Sequence, residues 1–169
     1  MKLNWINKKR GVFVDELVFK QFELARSWTI EVAESISHEV VKVKPNGFKN
    51  TIHWQIGHIL ASTEYFLFDL TNDENHLPEN YPELFGSGTK PDDWEGDVPT
   101  IEHLVAQLKA QLVRMREIPA PQLTEKLVKP MHGFETLADC AVFSVLHEVL
   151  HVGKIEEMER VIVNSRAKN

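Results

Sequence analysis

Four segments of this 169-residue chain space their apolar residues three and four apart, as one face of a helix requires, and no run alternates as a half-buried strand does. The first segment spans about Asp15 to Ser37, where Val18, Phe22, Ala25, Thr29, Val32 and Ile36 line up as one stripe. Pro45, Asn46 and Gly47 then break the chain. The second runs from about Thr51 to Leu70 and joins Trp54, His58, Ala61, Ser62 and Tyr65 on one side. The third opens on Thr100 as N-cap, carries Ile101, Leu104, Val105, Leu108, Leu112 and Met115, and stops at Pro119 and Pro121. The fourth, about Glu135 to Val163, is apolar nearly all round from Leu137 to Val152, which predicts the most buried helix. The expected fold is all-α: a four-helix bundle forming one domain over residues 1–169.

Between the second and third segments, Thr71 to Pro99 holds four of the eight prolines and three of the eight glycines. It predicts one long crossover loop, pinned down by Tyr81, Phe85 and Trp94.

Charge narrows the partners. Against 19 Lys and Arg stand 25 Asp and Glu, a net −6, so no basic field faces a nucleic-acid backbone. The one basic cluster, Lys8, Lys9 and Arg10, reads as a solvated end of the chain. A single cysteine, Cys140, forms no intramolecular disulfide and suits small apolar packing. No apolar run reaches membrane-spanning length, and no signal-peptide core follows the polar start, so the expected setting is cytoplasmic.

The chemistry concentrates at His147 and His151. Four apart on a helix, they lie about 40° apart in azimuth and one turn apart in rise, so both imidazoles reach one ion from the same side. Two imidazoles in an apolar helix each need a polar partner, and a shared metal would serve both. The plainer alternative is two core histidines bonded to backbone or carboxylates. Among the remaining six histidines of eight, His58 is the best third ligand, because it shares a stripe with Trp54 and Tyr65. His53 lies about 140° round the same helix and is expected to face solvent or a neighbouring subunit. His38, His76, His103 and His132 read as surface residues. His58, His147 and His151 would leave positions open at the ion for water or substrate.

The segment from His147 to His151 also spells H-E-x-x-H, the zincin protease pattern with glutamate as general base. Its extended form needs glycine where Lys154 stands and histidine where Glu157 stands. Glu148 therefore reads as a residue near the metal ligands or as outward-facing packing.

The segments NTIHWQIGHILASTEYF (Asn50 to Phe66) and FSVLHEVLHVGKIEEM (Phe143 to Met158), with YPELFGSGTKPDDWEGDVPTIEHL (Tyr81 to Leu104) between them, resemble the DinB-like, or YfiT-like, superfamily of metal-dependent enzymes. The resemblance implies a four-helix bundle, often a homodimer, with a divalent metal, zinc or nickel, on His58, His147 and His151. It also implies a small-molecule substrate, and members of known activity transfer low-molecular-weight thiols such as bacillithiol or isomerise with mycothiol. One position departs: Lys154 replaces the glutamine usual after H-x-x-x-H-x-G, and its cation either reaches outwards or attracts an anionic substrate. Three functions follow: a metal-dependent transferase adding a thiol to an electrophile, a hydrolase activating water at the metal, or a dimeric metal-binding or stress-response bundle without turnover.

Overall fold

The computed structural model describes residues 3–71 and 74–167, with side chains from Glu16 onward except that of Met131. Lys8 to Arg10 thus lie outside the described side chains. The fold is mostly helical: α1 (Leu3–Ser35), α2 (His38–Val41), α3 (Ile52–Leu67), α4 (Tyr81–Phe85), α5 (Ile101–Glu117) and α6 (Leu137–Arg166), with strands β1 (Lys126–Met131) and β2 (Phe134–Thr136). Among the four long helices, α1 packs on α5 and α6, and so does α3.

Three of the long helices begin on threonine caps. Thr51 Oγ1 accepts the Trp54 amide at 3.2 Å, and Thr100 Oγ1 accepts that of His103 at 3.2 Å. Thr136 and Asp139 cap α6 reciprocally, with Thr136 N–H donating to Asp139 Oδ2 at 2.9 Å. The stripes then close on one another. Val18, Phe22, Ala25 and Thr29 of α1 are buried, as are Leu104, Leu108 and Met115 of α5. Burying a Phe such as Phe22 or Phe85 contributes roughly 1.5–3 kcal/mol.

The structure departs from the sequence reading in several places. α1 starts at Leu3, well before Asp15; Gly11, a poor helix former, interrupts the pattern there. The expectation of no strand fails at β1 and β2, an antiparallel hairpin pairing Lys126 with Thr136 and Met131 with Phe134. Its turn uses His132 at φ 51° and Gly133 at φ 84°, a doubly left-handed pair that matches strand twist. With Pro130 inside it, β1 is too short for alternation to register. Finally, α6 is not buried all round. Leu137, Cys140, Ser144, Glu148, His151, Ile155 and Met158 face inward, while Val142, Leu146 and Leu150 are 48%, 60% and 72% exposed. Among the described residues no helix is long and apolar enough to cross a membrane.

The Thr71–Pro99 segment, as far as it is described, is folded down by its aromatics. Tyr81, Leu84 and Phe85 are buried against α3, and Trp94 Nε1 donates to the Leu84 carbonyl at 2.7 Å. Cys140 packs in an apolar cluster with Phe22, Leu67 and Met115, and burial pushes its thiol up to about 11.

Candidate metal centre

His58 stands in the middle of α3, where every residue from Ile52 to Leu60 is buried. The indole of Trp54, one turn earlier, stacks on its ring with centroids 4.4 Å apart and planes 14° apart. His58 Nδ1–H donates to the Phe85 carbonyl at 2.6 Å. That approach depends on Gly57: a Cβ there would stand 2.3 Å from the Phe85 ring, so α4 could not rest on α3 at this point.

His147 and His151 lie one turn apart on α6, with Nε2 atoms 3.2 Å apart. The His58 ring is 5.1 Å from that of His147 and 4.7 Å from that of His151, centroid to centroid. One ligand nitrogen from each of the three lies within 4.8 Å of the others. His151 Nδ1 meets the Gln55 side-chain oxygen at 2.5 Å.

The donor chemistry fits a divalent metal. An imidazole that donates through Nδ1 keeps its lone pair on Nε2, so His58 and His151 are ready as Nε2 ligands. Two nitrogens about 2.0–2.1 Å from one tetrahedral ion stand about 3.3 Å apart, close to the 3.2 Å between His147 and His151. Burial, aided by neighbouring imidazoles and the Lys154 charge, pushes His147 down to about 4 and His151 to about 3. Burial lowers His58 too, against the opposing pull of the Phe85 carbonyl. All three are therefore neutral near pH 7, with lone pairs available. These three histidines could hold a metal ion.

A cavity of about 440 Å³ opens beside them, with His58 and His147 in its wall. Tyr65, Phe66, Phe143 and Leu77 make it largely apolar, while Glu64 and Asp69 give it a carboxylate side. Among the described residues no lysine or arginine lines it. Lys154 is exposed and stands apart from this lining, acting on the histidines only through its field.

Two residues behave differently from their sequence reading. Glu148 is fully buried and turned away from the ligands: Arg26 Nε and Nη2 donate to its two oxygens at 2.7 and 3.0 Å, and Thr29 Oγ1 donates at 2.7 Å. It is neither a general base at the histidines nor an outward-facing residue. His53 is buried instead of facing solvent or a neighbouring subunit; its Nε2–H donates to the Pro99 carbonyl at 2.8 Å. The folded-down crossover covers the side of α3 that a four-helix pattern alone leaves open. His38, His76 and His103 are exposed, and His132 at the hairpin tip is exposed yet lines the cavity mouth.

Sequence reasoning missed Gln55, the Phe85 carbonyl and Arg26. Gln55 is a polar residue in a fully buried stretch, and Arg26 is a cation between the inward-facing Phe22 and Thr29. Both signals were present. The carbonyl carried none, because backbone acceptors leave no mark on residue identity.

A mostly helical fold that gathers three neutral imidazoles from two helices beside an apolar cavity defines a class: helical proteins with a histidine site competent for one metal ion. A family profile described as the DinB superfamily matches residues 21–155, and the chain belongs to that family. A crystal structure of a conserved protein from Enterococcus faecalis is similar in fold, with a TM-score of 0.62 at 17% identity over 88% of this chain and 96% of that one. No curated protein matches the chain.

Proposed function

We propose that this chain is a metal-dependent enzyme that binds zinc or nickel through His58, His147 and His151 and transfers a low-molecular-weight thiol to an electrophilic substrate. The observation that carries the reading is the meeting of three neutral imidazoles, two of them in the wall of an open, largely apolar cavity. A divalent ion held there supplies Lewis acidity, lowering the pKa of a thiol or water that binds it. The chain's own residues do the rest. The three histidines add no negative charge, so the charge of the ion is not neutralised by its ligands. Phe85 and Gln55 hold two of the rings in place. Tyr65, Phe66 and Phe143 offer an apolar wall to the organic part of a substrate and limit water around it.

A second reading, a metal-dependent hydrolase that activates water, draws on a specific observation: among the described residues no lysine or arginine lines the cavity to pair with a thiol's carboxylates. The reading without turnover requires a site closed by its neighbours, and the open cavity speaks against that. We further propose that residues 1–169 are one domain, a four-helix bundle crossed by the Thr71–Pro99 segment. The exposed Trp28 of α1 beside Val149 of α6, with Leu24, Leu146 and Leu150 exposed on the same two helices, suits the interface of a homodimer. A chain whose one cysteine is buried suits a reducing, cytoplasmic setting.

Elemental analysis of the native protein beside His58→Ala tests the site. The expectation is about one zinc or nickel per chain, lost in the variant while the helical circular dichroism persists. Metal retained by His58→Ala sinks the three-histidine assignment. Assays of the loaded enzyme with electrophiles, in the presence and absence of a thiol, then separate the reactions. Thiol-dependent turnover supports transfer, and turnover without thiol supports hydrolysis. Turnover under neither condition supports a binding protein.

A further inference from the structure

We propose that Gln55 is a positioning residue for the metal centre, whose side-chain carbonyl holds His151 in the rotation and tautomer that present Nε2 to the ion. The inference rests on the three-histidine reading above. Gln55 is 3% exposed and belongs to α3, three residues before His58. One helix thus supplies a ligand and also steers the ligand that α6 contributes, across 96 residues of sequence.

The tautomer argument decides which end of the amide matters. If the amide NH2 faced His151 Nδ1, that nitrogen would have to accept, and the ring proton would sit on Nε2, 3.2 Å from His147 Nε2. Nε2 would then have no lone pair for a metal. With the carbonyl facing Nδ1–H, as the 2.5 Å contact to the side-chain oxygen has it, Nε2 keeps its lone pair and points into the group of three.

The three rings are held by different means, and this makes Gln55 the informative position. His58 donates to a backbone carbonyl, which no side-chain substitution removes. His147 is packed by Phe66 and Phe143, with ring centroids 6.2 and 5.9 Å away. The Ser62 hydroxyl stands 3.5 Å from both nitrogens of His58, at the limit of a hydrogen bond, so His151 is the ring whose orientation rests on a short bond to another residue's polar side chain. A neutral amide also leaves the charge of the ion undiminished, whereas a carboxylate in its place would make the imidazole a stronger donor.

The experiment compares the full chain with Gln55→Leu, Gln55→Glu and His151→Ala at pH 7.5. Zinc affinity is read by competition with a chromophoric chelator, site geometry by the visible absorption of the cobalt(II) form, and folding by thermal melts in chelator. Gln55→Leu is expected to weaken zinc binding about 10–100-fold, the usual effect of losing the residue that orients a metal-bound histidine, and to alter the cobalt bands. Gln55→Glu, which keeps an acceptor in the same place, is expected to match or exceed wild-type affinity. Wild-type affinity and an unchanged cobalt spectrum in a folded Gln55→Leu overturn the proposal. So does Gln55→Glu binding more weakly than wild type, and that arm stands even if the leucine variant does not fold. The parent reading fails separately: it falls if wild type binds neither zinc nor nickel, or if His151→Ala binds as wild type does.

Discussion

The core of this protein contains two polar regions, and they are completed in opposite ways. Around Arg26 every strong donor meets an acceptor of the chain itself. Arg26 clamps Glu148 and also donates to the Leu108 carbonyl and to Gln111; Gln111 donates to the Leu60 carbonyl and to Glu64; Arg114 donates to Glu64 from the rim. These residues come from α1, α3, α5 and α6, so one network fixes the rotation of all four long helices. At the three histidines, Phe85 and Gln55 accept from His58 Nδ1 and His151 Nδ1, while the Nε2 atoms of His147 and His151 face each other at 3.2 Å and the Ser62 hydroxyl stands 3.5 Å from His58 Nε2. One region is closed by opposite charges of the protein, and the other gathers lone pairs that a cation would complete. The distinction shows which buried polar groups hold the helices in place and which are arranged for a ligand.

The largest expected effect breaks the first region. Arg26→Met leaves the Glu148 carboxylate buried without its partner, which costs about 3–5 kcal/mol. Replacing both, as Arg26→Met with Glu148→Leu, should recover most of that loss, since a buried pair often does little better than apolar residues of similar volume. Urea unfolding of the single and double variants reads both numbers. A single variant as stable as wild type would mean that the network does not secure the helices.

A smaller effect, of a different kind, sharpens the second region. Its contribution to stability should depend on metal. Zinc at about 100 times its dissociation constant adds roughly 2.7 kcal/mol to a folded state that alone binds it. Thermal melts of wild type should therefore rise on adding zinc and fall back with chelator, while His147→Ala melts alike in both. A zinc-dependent rise that persists in His147→Ala would place the ion elsewhere.

How much of this was legible in the sequence follows from the same contrast. Helical periodicity announced the four long helices, and the spacing of His147 and His151 singled out the residues that the fold brings to His58. What stayed hidden depended on contacts between distant segments. The α1–α6 clamp reverses the reading of Glu148, because periodicity says where a side chain points and not what waits there. His53 was assigned to solvent or a neighbouring subunit because the folded-down crossover that covers it has no period to read. The exposed Leu146 and Leu150 looked like core for a related reason: a helix apolar on every side does not say which side the protein leaves open.

His53 offers the smallest and most discriminating test, because it resembles the three site histidines in burial but not in role. Burial lowers its pKa below the usual 6.5, and the nearby Lys42 of the α2 C-cap adds to this; the Pro99 carbonyl and Glu102 of α5 oppose it. The unfolded chain therefore takes up a proton on this residue at a higher pH than the folded chain does. Its contribution to stability is complete above pH 6.5 and declines as pH falls through 6.5 towards the lowered folded value. The three site histidines, also lowered, slope the same way when metal is absent. In chelator, wild type should then lose stability between pH 7.5 and 5.5, and His53→Gln, less stable at the upper pH, should lose less over that interval. Zinc binding by the variant at pH 7.5 should match wild type, since His53 touches none of the three. Equal losses in the two proteins would mean that folding leaves the pKa of His53 unshifted, and a larger loss in the variant would mean that a buried imidazolium donating to Pro99 replaces the neutral ring described here.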